Sequence, residues 1–387
     1  MRSISACPAL VVLATLVVGG CGNAPASPAA ASSSAAASAA AGGRPSASSH
    51  PSSPSVLPSP GVSPGTSADG QIVFEDAGDN FVHSQVWIEN ADGSNVRQLV
   101  KSEFTDGSAA LSPDGRTVAF VRIKSFAIDE LLADPTLLDK IMFVNVDGSG
   151  LHEVIVKGFG PPNLCVDAIE GDAFSPDGLR IAFTRLCVKT GVEGIWTANL
   201  DGTDPHEVTR NVASPDDVMK FLKDGTGFVH LEDHRASWSP DGRELVFNRI
   251  DTSTTPERSA IFTIGTLGNR LHQVTPWKLN ANDPVWSPDG TLIAFNAPAD
   301  PAHDQNIWTI HPDGTKPLQL THNDEDGQAT FHPSWSPDGS RILFSHSPST
   351  GGWGDFYVMN RDGGNAHLLA ATAVHENHAF WGPPPSP

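Results

Sequence analysis

The chain is short of positive charge, of cysteine and of long apolar stretches. Its 387 residues include 24 Lys and Arg against 44 Asp and Glu, which gives a formal net charge of −20 at pH 7. Because such a surface repels phosphate-rich ligands, nucleic acid is not an expected partner. The charge favours solubility and suits neutral or cationic partners.

The apolar stretch at residues 10–18 is shorter than the ~20 residues that a transmembrane helix needs. It follows Arg2 and ends in Val-Gly-Gly before Cys21, a pattern typical of a secretory signal. Small residues directly before a cysteine resemble a bacterial lipobox, which implies cleavage before Cys21 and a diacylglycerol on its thiol. We therefore expect a signal peptide at residues 1–20 and a lipid-anchored protein on the extracytoplasmic face of the cell membrane. The alternative is an ordinary signal peptide with an incidental cysteine.

Residues 21–66 consist almost entirely of alanine, serine, proline and glycine. A segment of this composition cannot bury enough apolar surface to order itself. We interpret it as a disordered tether, stiffened by its prolines, that holds a folded domain at residues 67–387 away from the membrane.

Four cysteines are present, at positions 7, 21, 165 and 187. The first leaves with the signal peptide and Cys21 is the lipid site, so Cys165 and Cys187 remain. In an exported protein two remaining cysteines are expected to form a disulfide. Two unpaired buried thiols are the alternative, and no metal ligands with suitable spacing lie near them.

A four-residue turn repeats along the folded part. The sequence Ser-Pro-Asp-Gly occurs five times, beginning at Ser112, Ser175, Ser239, Ser287 and Ser336. These residue types are the ones that a type I turn prefers at its four positions. A short apolar run follows each copy, and an Asp-Gly turn follows most of those runs. The pattern predicts four short antiparallel strands per repeat.

The spacing of the repeats predicts a β-propeller. The copies lie 63, 64, 48 and 49 residues apart, and a four-stranded blade takes about 40–50 residues. We place insertions in the longer intervals, at residues 125–139, 158–170 and 211–234. The strand at residues 378–383 should complete the blade that begins at Asp69, so that the ring closes in its first blade. We predict an all-β fold with six blades; five or seven blades are the alternatives.

The repeat of Trp-Ser-Pro-Asp-Gly, an Ile-Ala-Phe run, an aromatic strand ending in Asp-Gly and then Leu-Thr resembles the propeller repeats of the TolB family. The resemblance covers residues 69–383 and implies the propeller fold. It leaves the function open, since similar blades occur in a periplasmic Tol-system protein, in prolyl-oligopeptidase-type peptidases and in pectate-degrading lyases. Aromatic residues recur in the third strand and are expected to pack between blades: Trp87, Phe143, Trp196, Phe262, Trp308 and Tyr357.

Propellers carry function on loops at the ends of the central channel. Six residues stand three positions before the tryptophan or its equivalent and should converge at one mouth: Ser108, Gly171, Arg235, Asp283, His332 and His378. Arg235, Asp283, His332 and His378 are our candidates for ligand or partner contacts. A polar lining that only holds water and loop backbone remains open, and so does a metal site formed by Asp283 and the two histidines.

Catalysis has little support in the sequence. A Gly-x-Ser-x-Gly string at residues 61–65 lies in the tether, without the strand, turn and helix that expose a nucleophile. The sequence contains no phosphate-binding loop, dinucleotide fingerprint or His-Glu-x-x-His motif, and we expect no hydrolase domain after the propeller. We predict a monomeric, non-catalytic binding or scaffolding module without a cofactor, whose partner is an envelope protein, a peptide or a saccharide. The alternatives are a metal-assisted polysaccharide lyase or hydrolase that uses the channel-mouth histidines, and a purely structural domain.

Overall fold

The computed structural model describes most of the chain after residue 68. The described residues are 69–76, 83–125, 130, 133–158, 165–187, 190–213, 216, 231–299, 305–323, 328–347, 354–369 and 376–386. The predicted signal peptide, the predicted tether and the predicted lipid site at Cys21 lie outside them. Within these ranges no helix is long and apolar enough to span a membrane. Short 3-10 helices lie at Pro135–Leu137 and Trp277–Leu279.

The described part of the chain is built from short strands, as the turn spacing predicts. In chain order the strands are β1 (Gln71–Asp76), β2 (Gln85–Asn90), β3 (Arg97–Gln98), β4 (Thr105–Leu111), β5 (Thr117–Ile123), β6 (Lys140–Asn145), β7 (His152–Val154), β8 (Cys165–Ala168), β9 (Arg180–Cys187), β10 (Val192–Asn199), β11 (His206–Glu207), β12 (Asn211–Val212), β13 (Leu231–Trp238), β14 (Glu244–Asp251), β15 (Arg258–Gly265), β16 (His272–Gln273), β17 (Asn282–Trp286), β18 (Ile293–Pro298), β19 (Gln305–Ile310), β20 (Leu318–Gln319), β21 (Ala329–Trp335), β22 (Arg341–Ser347), β23 (Asp355–Asn360), β24 (His367–Leu368) and β25 (Glu376–Gly382).

These strands form six antiparallel sheets, one for each blade of a propeller. From the inner strand outwards, blade 1 is β25-β1-β2-β3, blade 2 is β4 to β7, blade 3 is β8 to β11, blade 4 is β13 to β16, blade 5 is β17 to β20 and blade 6 is β21 to β24; β12 also pairs with β10. The six-bladed prediction is confirmed, and so is closure by the C-terminal strand, which pairs with β1. The outer strands are only two or three residues long, which leaves little open edge for pairing with another chain.

Each Ser-Pro-Asp-Gly copy is a hydrogen-bonded turn between the first and second strands of a blade. In blade 6 the Gly339 amide donates to the Ser336 carbonyl (2.8 Å), and the Ser336 hydroxyl donates to Asp338 Oδ1 (2.6 Å). The five turn glycines share φ values of 68–70°, a left-handed conformation that favours glycine. The Ser336 hydroxyl and the Ser340 amide and hydroxyl bind the carboxylate of Asp338 and lower its pKa to about 2. The turn aspartates are therefore structural.

The turns of successive blades touch one another in a ring. A methyl group built on Gly178, Gly242, Gly290 or Gly339 would lie 3.5–4.0 Å from the proline of the preceding turn. A methyl group on Gly115 would instead meet the backbone of Pro383 and Pro384, and the Ser386 amide donates to the Asp114 carbonyl (2.8 Å). The C-terminal tail thus takes the place of a sixth turn.

The core lies between the blades and is formed by the faces of their second and third strands. Second-strand phenylalanines are at most 3% exposed: Phe74, Phe120, Phe183, Phe247, Phe295 and Phe344. Opposite them in the third strand stand Trp87, Met142, Trp196, Phe262, Trp308 and Tyr357. The prediction that Phe143 packs between blades is confirmed, although strand pairing sets Met142 rather than Phe143 opposite Phe120. Phe143 therefore lies on the other face of its strand, where its ring centroid is 5.5 Å from that of Phe174.

The predicted disulfide is present between Cys165 and Cys187, which are direct cross-strand neighbours in blade 3. The observed strands correct the boundaries of two predicted insertions. β8 lies inside the range 158–170, and β12 and the start of β13 lie inside 211–234. The strands β8 and β12 do not lead directly into a Ser-Pro-Asp-Gly turn, so our sequence criterion does not separate them from inserted loops. β13 does lead into such a turn, and only its first residues, 231–234, were assigned to the insertion.

Candidate functional site

The inner strands of five blades are interrupted at the same place. Pairing between first and second strands shifts by a β-bulge in blades 1, 2, 4, 5 and 6. The first bulge residue of each has a φ of 45–57°, although none is glycine: Ser108, Arg235, Asp283, His332 and His378. Left-handed backbone is uncommon for such residues, and a bulge redirects its side chain out of the strand's alternation. These are the positions that the turn alignment singled out.

The redirected side chains meet at one end of the channel. Together with segments of blade 3 they line a cavity of about 70 Å³. The charged and imidazole side chains of its wall are Glu170, Asp172, Arg235, Asp283, His332 and His378. The structure thus brings all four candidate residues together, each from a different blade. We refer to these six residues as the channel-mouth site.

Arg235 spans the site. Its Nε lies 2.7 Å from Asp283 Oδ1 in the next blade. Its Nη2 lies 3.0 Å from His378 Nε2 in blade 1, which is opposite blade 4 in a ring of six. Since a guanidinium only donates, His378 Nε2 is the acceptor of this bond. The two interactions link three blades across the channel through one side chain.

Glu75 holds the other side of His378. Its Oε1 lies 3.3 Å from His378 Nδ1 and also accepts the backbone amide of Ser108. The Nδ1 proton is therefore directed at Glu75, which fixes the neutral tautomer that Arg235 requires. The Glu75 side chain is fully buried. Our sequence analysis missed this residue, although a carboxylate directly after the apolar run at residues 72–74 was a usable signal.

His332 presents an unpaired ring nitrogen. Its Nε2 faces Asp283 Oδ2 at 3.5 Å, and its ring centroid lies 3.9 Å from that of His378. Its Nδ1 is buried and has no hydrogen-bond partner in the described part of the chain. Burial lowers the pKa of His332 well below its usual value, and the positive charge of Arg235 lowers it further. The imidazole is therefore neutral at pH 7, with Nδ1 available as an acceptor.

Blade 3 departs from the common pattern and supplies carboxylates. Its inner strand β8 ends at residue 168, and only one bridge, between Phe174 and Ile181, continues the pairing. Gly171 stands at the aligned position, and its neighbours Glu170 and Asp172 provide the side chains of the wall. Burial raises the pKa of Asp172 to about 6, although the Ser237 hydroxyl donates to it. The sequence analysis counted only Gly171 here.

Glu170 joins the channel-mouth site to a buried histidine. Its Oε2 accepts the Arg235 amide (3.2 Å) and the Thr184 hydroxyl (2.9 Å), and it lies 3.2 Å from His234 Nδ1. Nε2 of His234 lies 3.2 Å from Glu232 Oε2. Burial opposes the charged imidazole, but the two carboxylates outweigh it and raise the pKa of His234 well above its usual value. His234 therefore stays protonated and offsets part of the negative charge.

Three further charge pairs strengthen the blades beside the site. Each joins directly opposed residues of the first and second strands through two short hydrogen bonds, and each arginine also stacks on an aromatic ring. The pairs are Asp106–Arg122, Asp167–Arg185 and Asp233–Arg249. Because both partners of each pair are occupied, we assign these residues a structural role.

The described residues contain no group of three or more His, Cys, Asp and Glu side chains arranged to hold a metal ion. In the channel-mouth site Arg235 is hydrogen-bonded to His378 Nε2 and paired with one oxygen of Asp283. A metal at Asp283, His332 and His378 would have to displace this guanidinium.

Comparison with known proteins places the fold. No family model matches the chain. Dipeptidyl-peptidase 5 of Trichophyton equinum is 33% identical over 135 residues, which are 33% of this chain and only 18% of that protein. TolB from Acinetobacter baumannii superimposes with a TM-score of 0.57 at 18% identity, over 81% of this chain and 67% of that one. A TolB-type protein from Agrobacterium tumefaciens gives 0.54 at 17% identity, over 82% and 90%. The fold is that of the TolB-like six-bladed propellers.

Proposed function

We propose that this protein is an exported, lipid-anchored binding or scaffolding module of the bacterial cell envelope, and that it acts as a monomer without catalysis. One observation carries the proposal. Five blades hold non-glycine residues in the same left-handed bulge, and their side chains converge on one polar cavity. Unfavourable backbone at a repeated position is typical of a functional constraint.

The cavity is organised before any ligand arrives. Arg235 is held by Asp283 and His378, and His378 is held by Glu75. Side chains fixed in this way lose little conformational entropy on binding. The TolB-like fold and an overall charge of −20 favour an envelope protein or peptide that presents neutral or cationic groups to this mouth.

The pairing of Arg235 with His378 favours binding over catalysis at that histidine. Arg235 engages the lone pair of His378 Nε2 that a general base or metal ligand would use. The match to dipeptidyl-peptidase 5 keeps a hydrolytic role as a second candidate, but it covers about a third of this chain. Metal analysis of the purified protein separates the metal-assisted version: a stoichiometric metal that disappears in a His332→Gln, His378→Gln variant would favour the enzyme.

The main test is crosslinking and affinity capture of the acylated protein from its native membrane. The site variant replaces Arg235, His332 and His378 by Gln. The control variant replaces three exposed residues of the same types by Gln: Arg243, His272 and His367. We expect one specific partner with the wild type and the control, and its loss with the site variant. A cooperative thermal unfolding transition of the site variant would show that it is still folded at the temperature of the capture.

Two outcomes would contradict parts of this proposal. Capture of the same partner by the site variant would remove the channel mouth from the interaction. A Cys21→Ser variant that still fractionates with the membrane, rather than in the soluble fraction, would remove the lipid anchor and leave the binding role untouched.

A further inference from the structure

The channel-mouth site contains a buried acceptor without a donor. Nδ1 of His332 is buried and unpartnered among the described residues. Its Nε2 faces the carboxylate of Asp283, which only accepts, so the ring proton lies on Nε2 and Nδ1 carries a free lone pair. A buried polar atom in this state points to a missing hydrogen-bond donor.

The wall around this nitrogen favours a positively charged donor. Asp283, Asp172 and Glu170 all line the cavity. Arg235 is the cationic residue of the wall, but the carboxylate of Asp283 lies 2.7 Å from its Nε and offsets its charge. An incoming carboxylate would have to displace Asp283 and would then face the remaining acidic groups. Asp283 is paired with Arg235 and Glu170 with the protonated His234, so Asp172 is the wall carboxylate without a cationic partner among the described residues. An incoming cation therefore finds Asp172 and a neutral imidazole.

The cavity is large enough to admit such a donor. Its volume of about 70 Å³ exceeds the ~10–15 Å³ that a single water molecule needs in a cavity. An ammonium group is close to a water molecule in size and therefore fits beside the wall.

We propose that the channel-mouth site binds a primary ammonium group, which donates to Nδ1 of His332 and is flanked by the carboxylates of Asp283 and Asp172. The proposal rests on the binding function above and names its ligand class. The group is carried by the amino terminus of a peptide or by a lysine side chain. Either one reaches the cavity as the leading end of an extended segment.

The test is a titration of the full chain with ¹⁵N-labelled histidine. The probes are ethylammonium chloride, sodium acetate at the same ionic strength, alanyl-alanyl-alanine amide with a free amino terminus, and acetyl-alanyl-lysyl-alanine amide. We expect ethylammonium to shift the Nδ1 resonance of His332 saturably and acetate to leave it unchanged. A response to one peptide alone identifies the terminus or the lysine as the source, and a response to both assigns the shared group.

Two variants of His332 serve as matched controls, read out by calorimetry with ethylammonium. His332→Gln places its amide near Nε2, so the contact with Asp283 persists while the Nδ1 acceptor is lost; we expect affinity to fall at least tenfold. His332→Asn places an amide oxygen near Nδ1, and we expect a smaller loss. Unchanged affinity in His332→Gln, or a shift caused by acetate, would overturn the ammonium assignment. If partner capture still depended on the channel mouth, the proposed binding function would survive that result.

Discussion

At the scale of single residues, the five bulge positions are the places where the fold overrides local preference. A left-handed conformation costs a residue with a side chain about 1–2 kcal/mol, and the chain accepts this cost at Ser108, Arg235, Asp283, His332 and His378. Pairing on both sides of each bulge holds the backbone in place. This conformational strain occurs at the same aligned position in five blades, and that position is the one whose side chains line the cavity.

Ser108 offers a test of this strain, because it lies at the bulge but carries no charge. We expect Ser108→Val to lower the free energy of unfolding by about 1–2 kcal/mol, since a β-branched residue fits left-handed backbone poorly. Ser108→Gly relieves the strain and should stay within about 1 kcal/mol of the wild type. Urea unfolding at pH 7 measures both. A valine variant as stable as the glycine variant would show that the bulge is not strained.

Asp172 predicts a pH dependence. Its pKa is about 6 in the folded protein against an ordinary value of 3.8, so the folded state holds the proton more tightly than the unfolded state. Stability from this group is fully present below about pH 4 and is lost as the pH rises to about 6. As the pH rises from 4 to 7, we expect the free energy of unfolding of Asp172→Asn to increase by up to about 3 kcal/mol relative to that of the wild type.

Asp338 is the matched control for this experiment. Its pKa is lowered to about 2, so its contribution is lost only as the pH falls through that value. The free energies of unfolding of Asp338→Asn and the wild type should therefore differ by the same amount at every pH from 4 to 7. If the difference between Asp172→Asn and the wild type is also constant, burial does not raise the pKa of Asp172.

At the scale of elements, blade 3 is the exception that gives the site its asymmetry. Its inner strand is four residues long, its pairing stops before the cavity, and the irregular segment supplies Glu170 and Asp172. The disulfide ties this short strand to β9 at its other end. A blade with less backbone pairing therefore carries a covalent link.

Removal of the disulfide should lower the free energy of unfolding by more than an ordinary surface substitution does. The disulfide joins residues 22 apart in sequence, and closing a loop of ~15 residues stabilises a protein by about 3 kcal/mol. We expect the double variant Cys165→Ser, Cys187→Ser to lose about 3 kcal/mol in urea unfolding. Dithiothreitol should lower the free energy of unfolding of the wild type to that of the variant and should leave the value of the variant unchanged. A reductant effect of equal size on both proteins would argue against the bond.

Sequence alone predicts the elements well and the site only in part. Ser-Pro-Asp-Gly marks every turn between first and second strands in blades 2 to 6, so the blades and the aligned bulge residues follow from spacing. The site partners arise from pairing across strands, which spacing does not reveal. Glu75 reaches His378 from the adjacent strand. Met142 rather than Phe143 stands opposite Phe120, because the register of the strands is set by hydrogen bonding.

At the scale of the whole molecule, the last strand holds the ring together. Without β25, strand β1 would expose its inner edge, and Trp381, which is 2% exposed, would leave the core between blades 6 and 1. We expect a chain that ends before Glu376 to aggregate or to form oligomers, as unpaired strand edges do.

Size-exclusion chromatography with light scattering measures this outcome. The control is a chain that lacks only residues 386 and 387, which removes the contact of Ser386 with Asp114 but keeps β25. It should elute at the volume of the full propeller. A monomeric, cooperatively unfolding chain without β25 would contradict the role we assign to ring closure.

The shared first blade also has a mechanical consequence. A force that pulls on the segment before residue 69 reaches β1 first, and β1 is the second strand of its sheet rather than an edge. It is paired over six residues with β2 and at five positions with β25. Extraction of the strand would have to break both ladders together, so the propeller should withstand tension from its N-terminal side better than a blade pulled by its outermost strand.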